Sequence, residues 1–227
     1  LPGNWENPVG GEIVSITRLF LIRHGETLAN REFRYIGSRD DALSDTGAQQ
    51  ATQLAAALES LPITQIYTSP LQRAYHTARA IAAPHGQQAR ISDELRECTF
   101  GAWEGLSRAD VLARGPEDIR LLQAWEGDST VAPPGGESFA TMQVRVCAFV
   151  EKLAALHAGE SLALVSHVGP IKVLLALALD APLSTSLRIF LDPATISVID
   201  WQPGGQALVR LVNSHAHMGW TQARWMR

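Results

Sequence analysis

Two histidines and two arginines stand where phosphoryl chemistry would want them. The apolar run Leu19-Phe20-Leu21-Ile22 leads straight into Arg23-His24-Gly25, and Leu164-Val165-Ser166 leads into His167. Arg73 falls just after Ser69-Pro70, at the close of another short apolar stretch. Arginine forks match phosphate oxygens bidentately and stay charged. A neutral imidazole is a competent nucleophile at phosphorus, and a phosphohistidine splits one hard step into two. Phosphoryl transfer asks mainly for positioning and charge neutralisation. Four such side chains meet that demand without a metal. Metal-site patterns such as HExxH, DxD or a close cysteine pair are missing from the sequence, so neither a metal nor a cofactor is expected.

The elements that must position these residues follow from hydrophobic pattern. A short apolar run without alternation reads as a strand buried on both faces. Polar residues at its carboxyl end then lie where open α/β sheets take ligands. The first strand is expected over Glu12 to Ile22, with Gly25 letting the backbone turn sharply and approach a ligand. A loop is expected from Thr27 to Asp41, then a helix capped by Ser44, with Ala51, Leu54, Ala55 and Leu58 on its apolar face. Gln65 to Thr68 is a strand. Ser69 and Pro70 are expected as cap and first residue of a helix that brings Arg73 to the strand mouth. His76 and His85 read as structural.

Further on, Ala89 to Ser92 is an edge strand and Asp93 to Leu106 mostly loop. One or two helices break at Gly115-Pro116, and a helix runs from Ser138 to His157. Ser161 to Val165 is the central strand, Gly169 to Leu179 a buried helix. Leu187 to Trp201 and Ala207 to Asn213 are expected as strands. Alternating strands and helices favour an α/β fold, a three-layer α/β/α sandwich around a mostly parallel sheet.

Composition excludes several classes. Hydrophobic residues make up 46% and charged ones 19%, which is ordinary for a globular domain. No run of ~18 apolar residues marks a transmembrane helix. The net charge of −4 argues against a nucleic-acid partner, which would need a basic face. It does not oppose a small anionic substrate, which responds to local charge in a cleft. Cys98 and Cys147 form no disulfide framework, so a cytoplasmic setting is the default. Residues 17–227 are expected as one domain. Residues 1–16 read as an arm packed by Trp5, a processed end or a segment left by cloning, without the pattern of a signal peptide. A homodimer is compatible with all of this.

The four motifs occur in a telling order. They are Leu19 to Thr27, Ser69 to Ala78, Glu94 to Leu106 and Leu164 to His167. Together they resemble the histidine phosphatase superfamily, the phosphoglycerate mutase-like proteins, over about Arg18 to Ser214. The resemblance implies that fold, and a reaction on small-molecule phosphomonoesters. It implies that His24 accepts the phosphoryl group, and that Arg23, Arg73 and His167 complete the phosphate pocket beside Gly25. Glu97 matches the general acid that protonates the leaving alkoxide and then activates water. A carboxyl near the anionic phosphate would have its pKa raised by like charge, which suits that task. On residue type alone, Glu94 and Glu104 compete with it. Thr27 and Asn30 match positions that contact phosphate or orient the histidine.

Two departures concern the pocket. Ile36 stands before Gly37 where many relatives place glutamine, leaving Arg34 or Ser38 to replace one phosphate contact. Val168-Gly169-Pro170 replaces the common Gly-Gly after the second histidine. The stretch from Arg108 to Ser138 is short and net acidic, unlike the basic insertion of the mutases. The Leu95 to Leu106 pattern also lies nearer the broad phosphatase branch. Hydrolysis is therefore favoured over mutase-type transfer and over a non-catalytic interaction module. A lid over Thr99 to Gly136, with Phe100, Trp103 and Trp125, would suit an apolar or ring-bearing leaving group.

Overall fold

The computed structural model describes residues 15–202, 204 and 206–219. Expectations for residues 1–14 with Trp5, and for Trp220 and Trp225, lie outside these. Strand β1 (Thr17–Arg23) is the LFLI run, and its neighbours bury both its faces. Strands β2 (Ile63–Thr68), β3 (Arg90–Ile91), β4 (Ser161–Ser166), β5 (Ile196–Trp201) and β6 (Ala207–Ser214) join it in one sheet, ordered β3-β2-β4-β1-β5-β6. The first four positions of that order run parallel. β5 and β6 extend the sheet antiparallel.

Helices cover both faces. Phe20 and Ile22 point to one side, against Leu54 and Leu58 of α2 (Asp45–Leu58) and Ala78 and Ile81 of α3 (Gln72–Ala82). Leu19 and Leu21 point to the other, against Met142 and Val146 of α6 (Phe139–Leu156) and Leu174 of α7 (Val168–Ala178). The expected three-layer sandwich is the observed one. Each such side chain, fully withdrawn from water, contributes about 1.5–3 kcal/mol.

Three expectations need correction. The stretch Thr27 to Asp41 is not all loop: α1 (Leu28–Arg31) begins at Thr27, which forms a reciprocal capping box with Asn30. The helix after β2 starts at Gln72 rather than Pro70. Asp40 accepts the Gln72 amide at 2.6 Å, so a side chain from elsewhere satisfies the first-turn donor that Ser69 was expected to take. Leu187 to Thr195 is not strand. A 3-10 turn covers Leu183–Arg188, Pro193 offers no N–H, and Ala194 has φ 56. Extended pairing cannot begin until Ile196. The break at Gly115-Pro116 holds, between α4 (Arg108–Leu112) and α5 (Pro116–Gly127).

Gly25 also allows a close approach within the protein. A Cβ there would collide with the Gly47 carbonyl, and one on Gly47 with the Glu26 carbonyl. The two glycines let the first turn of α2 press against the chain beyond β1. That contact is tied by Ser44 N–H to Glu26 O (2.9 Å) and Glu26 N–H to Gln50 Oε1 (2.8 Å). Gly47→Ala is expected to cost ~1–3 kcal/mol through overpacking. A lower urea midpoint would show it; an unchanged midpoint would mean that α2 can retreat freely.

Candidate active site

Parallel pairing makes the site. Arg23 sits opposite Ser166 in the β1–β4 register, so His24 and His167 leave adjacent strands at the same edge. Their ring centroids are 5.0 Å apart. β2 ends beside them and supplies Ser69; the first turn of α3 supplies Arg73. All four of these histidine and arginine side chains belong to residues at most 8% exposed.

A hydrogen bond sets the His24 tautomer. His24 Nδ1 lies 2.7 Å from the Gly25 carbonyl, which can only accept, so Nδ1 carries the proton and Nε2 the lone pair. Ser69 Oγ accepts from the Leu71 amide (3.3 Å) and meets His167 Nε2 at 2.8 Å. Either atom can donate in that contact, since the hydroxyl has a second lone pair. His167 Nδ1 is buried and has no hydrogen-bond partner among the described residues. Burial, then the charges of Arg73 and Arg23, hold His24 well below the ordinary histidine range. Burial and the same arginines, with His24, do so for His167. Both rings are neutral at pH 7.

Each arginine is anchored by backbone oxygens. Arg23 Nη1 donates to Leu191 O at 2.6 Å. Arg73 donates from Nη1 to Arg39 O (2.6 Å) and from Nη2 to Gly37 O (2.8 Å). The loop carrying those carbonyls is itself pinned: Glu104 accepts from Ser38 N–H (2.8 Å), Ser38 Oγ and Phe100 N–H. Ser38 is therefore committed to Glu104. Arg34 is paired with Glu32 and Asp110. Neither stands in for the glutamine that Ile36 replaces, and Ile36 itself is buried.

The three candidate carboxylates separate cleanly. Glu104 holds the loop. Glu94 accepts from Ser92 Oγ, which lowers its pKa. Glu97 is buried with its pKa raised, and burial is the leading cause. Two amide donors and the charges of Arg73 and Arg23 oppose that rise. The donors are Cys98 N–H (2.9 Å) and Gly169 N–H (3.0 Å), both to Oε1. So the desolvated site itself raises Glu97, before any phosphate adds its charge. A Cβ on Gly169 would strike Glu97 Oε1; the one glycine kept in Val168-Gly169-Pro170 is the one that admits the carboxylate.

Thr27 and Asn30 bond to each other in the α1 capping box, Thr27 N–H to Asn30 Oδ1 and Asn30 N–H to Thr27 Oγ1, both 3.1 Å. Gly25 N–H donates to Thr77 Oγ1 at 3.1 Å. His76 is exposed and lies outside the cluster. Phe100, Trp103 and Trp125 pack on one another and on Tyr35, with centroids 5.1–6.1 Å apart. Their rings fill the lid's interior instead of offering a wall to a leaving group. Among the described residues, no three His, Cys, Asp or Glu side chains gather as a metal site would require, and no helix is long and apolar enough to cross a membrane.

Sequence reasoning missed the supports. Arg145 on α6 binds Glu137 through Nε (2.9 Å) and Nη2 (2.8 Å), and donates to the carbonyls of Glu94 (2.6 Å) and Glu97 (3.4 Å). It clamps the loop that carries Glu97. His215 Nε2 lies 3.0 Å from Asp192 Oδ2, both buried. This pair steadies the segment whose Ala194 N–H donates to His24 O (2.9 Å) and whose Leu191 receives Arg23. The bonds of Arg145 to Glu94 and Glu97 and the His215–Asp192 pair join residues far apart in the chain, so they have no local sequence signal.

A family model for the histidine phosphatase superfamily, branch 1, matches residues 19–214. The chain belongs to that superfamily. A bifunctional protein of Mycobacterium tuberculosis is 39% identical over 203 residues, covering 89% of this chain and 55% of the relative. The chain thus spans about half the length of that curated relative. An adenosylcobalamin/alpha-ribazole phosphatase of Escherichia coli is 33% identical over 200 residues, 88% of this chain and 97% of that one. Among solved structures, a mycobacterial glucosyl-3-phosphoglycerate phosphatase in complex with VO3 matches with TM-score 0.79 and 32% identity, covering 87% and 99%. The fold of that solved phosphatase thus matches this chain over most of its length.

The neutral histidines make stability depend on pH. His24 and His167 have folded pKa values below the unfolded value near 6.5, so below about pH 6.5 the unfolded chain binds more protons. Their stabilising share is full above that pH and is lost as pH falls toward the folded values. The urea midpoint should drop between about pH 6.5 and 5, and drop less in the double variant His24→Asn/His167→Gln. An equal drop in both proteins would place the acid sensitivity elsewhere.

Proposed function

We propose that the chain hydrolyses small-molecule phosphomonoesters through a phosphohistidine on His24, without a metal. The observation that carries this reading is the Gly25 carbonyl on His24 Nδ1. It leaves Nε2 as a lone-pair nitrogen in a buried pocket with two arginines, where a charged imidazolium is disfavoured. The substrate phosphoryl oxygens are held by Arg23 and Arg73, with His167, whose Nδ1 has no partner among the described residues, completing the pocket.

His24 Nε2 attacks phosphorus, and the bond from phosphorus to the ester oxygen breaks. Glu97, whose pKa burial raises, gives its proton to the departing alkoxide. The alcohol leaves. Glu97, now a carboxylate, takes a proton from water as the water oxygen attacks phosphorus. The P–N bond breaks, inorganic phosphate forms, and His24 returns to the neutral state with Glu97 reprotonated. Throughout, the arginines neutralise charge on the transferring group. The names of the similar phosphatases support the reaction class, and their different substrates leave the alcohol open.

Phosphate release from p-nitrophenyl phosphate and from sugar and glycerol phosphates tests this. His24→Ala should abolish release while leaving circular dichroism unchanged. Glu97→Gln should lower kcat by ~10²–10⁴ for alkyl esters, and much less for p-nitrophenyl phosphate, whose leaving group needs little protonation. Activity retained in His24→Ala would overturn the mechanism, and strong inhibition by a chelator would show that a metal takes part.

A further inference from the structure

Residues 96–100 carry no helix or strand, so no backbone ladder fixes the chain around Glu97. Side chains hold it instead. From β4, Ser166 Oγ donates to the Leu95 carbonyl at 2.7 Å. From α6, Arg145 donates through Nη1 to the Glu94 carbonyl at 2.6 Å and through Nη2 to that of Glu97 at 3.4 Å. The same guanidinium grips Glu137 with Nε and Nη2, at 2.9 and 2.8 Å. Glu137 then holds the next two residues through its own main chain. Its carbonyl accepts from Cys98 Sγ at 2.9 Å, and its amide donates to Thr99 O at 2.9 Å. One ion pair thus reaches residues 94, 97, 98 and 99.

The pair is built to place rather than to charge. Its side chains are only 25% and 15% exposed, and its two parallel bonds fix a plane as well as a distance. Glu137 stands on a close-packed base: Ala102 N–H donates to Pro134 O at 2.9 Å, and a Cβ on Gly136 would strike Thr99 O. Arg145 has its charge answered by Glu137, while Arg23 and Arg73 face the phosphoryl group. The Glu97 carboxylate meanwhile takes both its amide donors on Oε1, Cys98 N–H from the clamped stretch and Gly169 N–H from α7. Those donors belong to different elements. Their spacing, and with it the direction of the carboxyl, depends on where the clamp sets residues 97–99 against α7.

We infer that Arg145 and Glu137 are positioning residues for the proton donor: they aim Glu97 at the leaving oxygen, and serve its protonation rather than the attack by His24. This rests on the phosphatase reading above. The test measures kcat/KM, which covers the steps through loss of the alcohol, for glycerol 3-phosphate and p-nitrophenyl phosphate, whose leaving groups differ in their need for a proton. Arg145→Met should lower the value for glycerol 3-phosphate by about tenfold to a hundredfold, as a displaced catalytic group does, and leave that for p-nitrophenyl phosphate nearly unchanged. Glu137→Gln, a milder break of the same pair, should show the same selectivity even if Arg145→Met folds poorly, and Arg145→Lys should recover part of the loss. In Glu97→Gln, adding Arg145→Met should cost nothing further on the glycerol ester, because the group it aims is gone. Equal losses on the two esters, or losses that multiply in the double variant, would show that Arg145 only supports the fold, and overturn the inference. Glu97→Gln alone judges the reading beneath it. If that variant slows both esters alike, the acid assignment fails and the inference falls with it. A selective Glu97→Gln beside an unselective Arg145→Met sinks the inference and spares the reading.

Discussion

The register between β1 and β4 is the constraint on which the site depends. Side chains alternate faces along a strand, so a slip of one residue would send Leu19 and Leu21 to the wrong layer and carry His24 away from His167. The apolar packing of both faces forbids that slip. Stability and function are coupled here in a simple way. The same ladder that buries the Leu19-Phe20-Leu21-Ile22 run between two helical layers delivers two imidazoles to one edge, 5.0 Å apart.

Placing that edge out of water creates an electrostatic conflict, and the protonation states resolve it. Arg23 and Arg73 stay charged, so the other groups yield. Both histidines give up protons, and Glu97 tends to keep one. Desolvation leads in all three cases, and the arginines oppose it at Glu97 while reinforcing it at the histidines. The result is two neutral imidazoles beside a carboxyl whose pKa is raised, all within one buried pocket. Backbone groups keep the conflict from becoming structural damage. Carbonyls of Leu191, Gly37 and Arg39 hold the guanidinium groups, and amides of Cys98 and Gly169 hold the carboxylate.

Much of this could be read from the chain because its signals are local. The LFLI-Arg-His sequence is both strand and site, and Ser44, Ser138 and Gly115-Pro116 punctuate helices by their own chemistry. The errors fall where distant residues decide. Asp40 caps α3 from 32 positions away and moves its start past Pro70. Asp192 and Ala194 draw their geometry from His215 and His24, which made a turn of what reads as strand. Phe100, Trp103 and Trp125 look like a cleft wall in sequence, yet Tyr35 gives them an interior to fill. On residue type alone Glu97 could not be told from Glu94 and Glu104; the resemblance singled it out, and its burial sets it apart from Glu94 and Glu104.

Arg73 has a double engagement. Each of its two terminal nitrogens donates once, to the carbonyls of Arg39 and Gly37. A guanidinium has five N–H groups, so the second N–H on each terminal nitrogen and the Nε–H, which has no partner among the described residues, stay available to an anion while the carbonyls fix the plane of the fork. The loop borders the cleft, and Glu104 ties it to the Phe100 region. Its carbonyls therefore set the orientation of that guanidinium before any anion arrives.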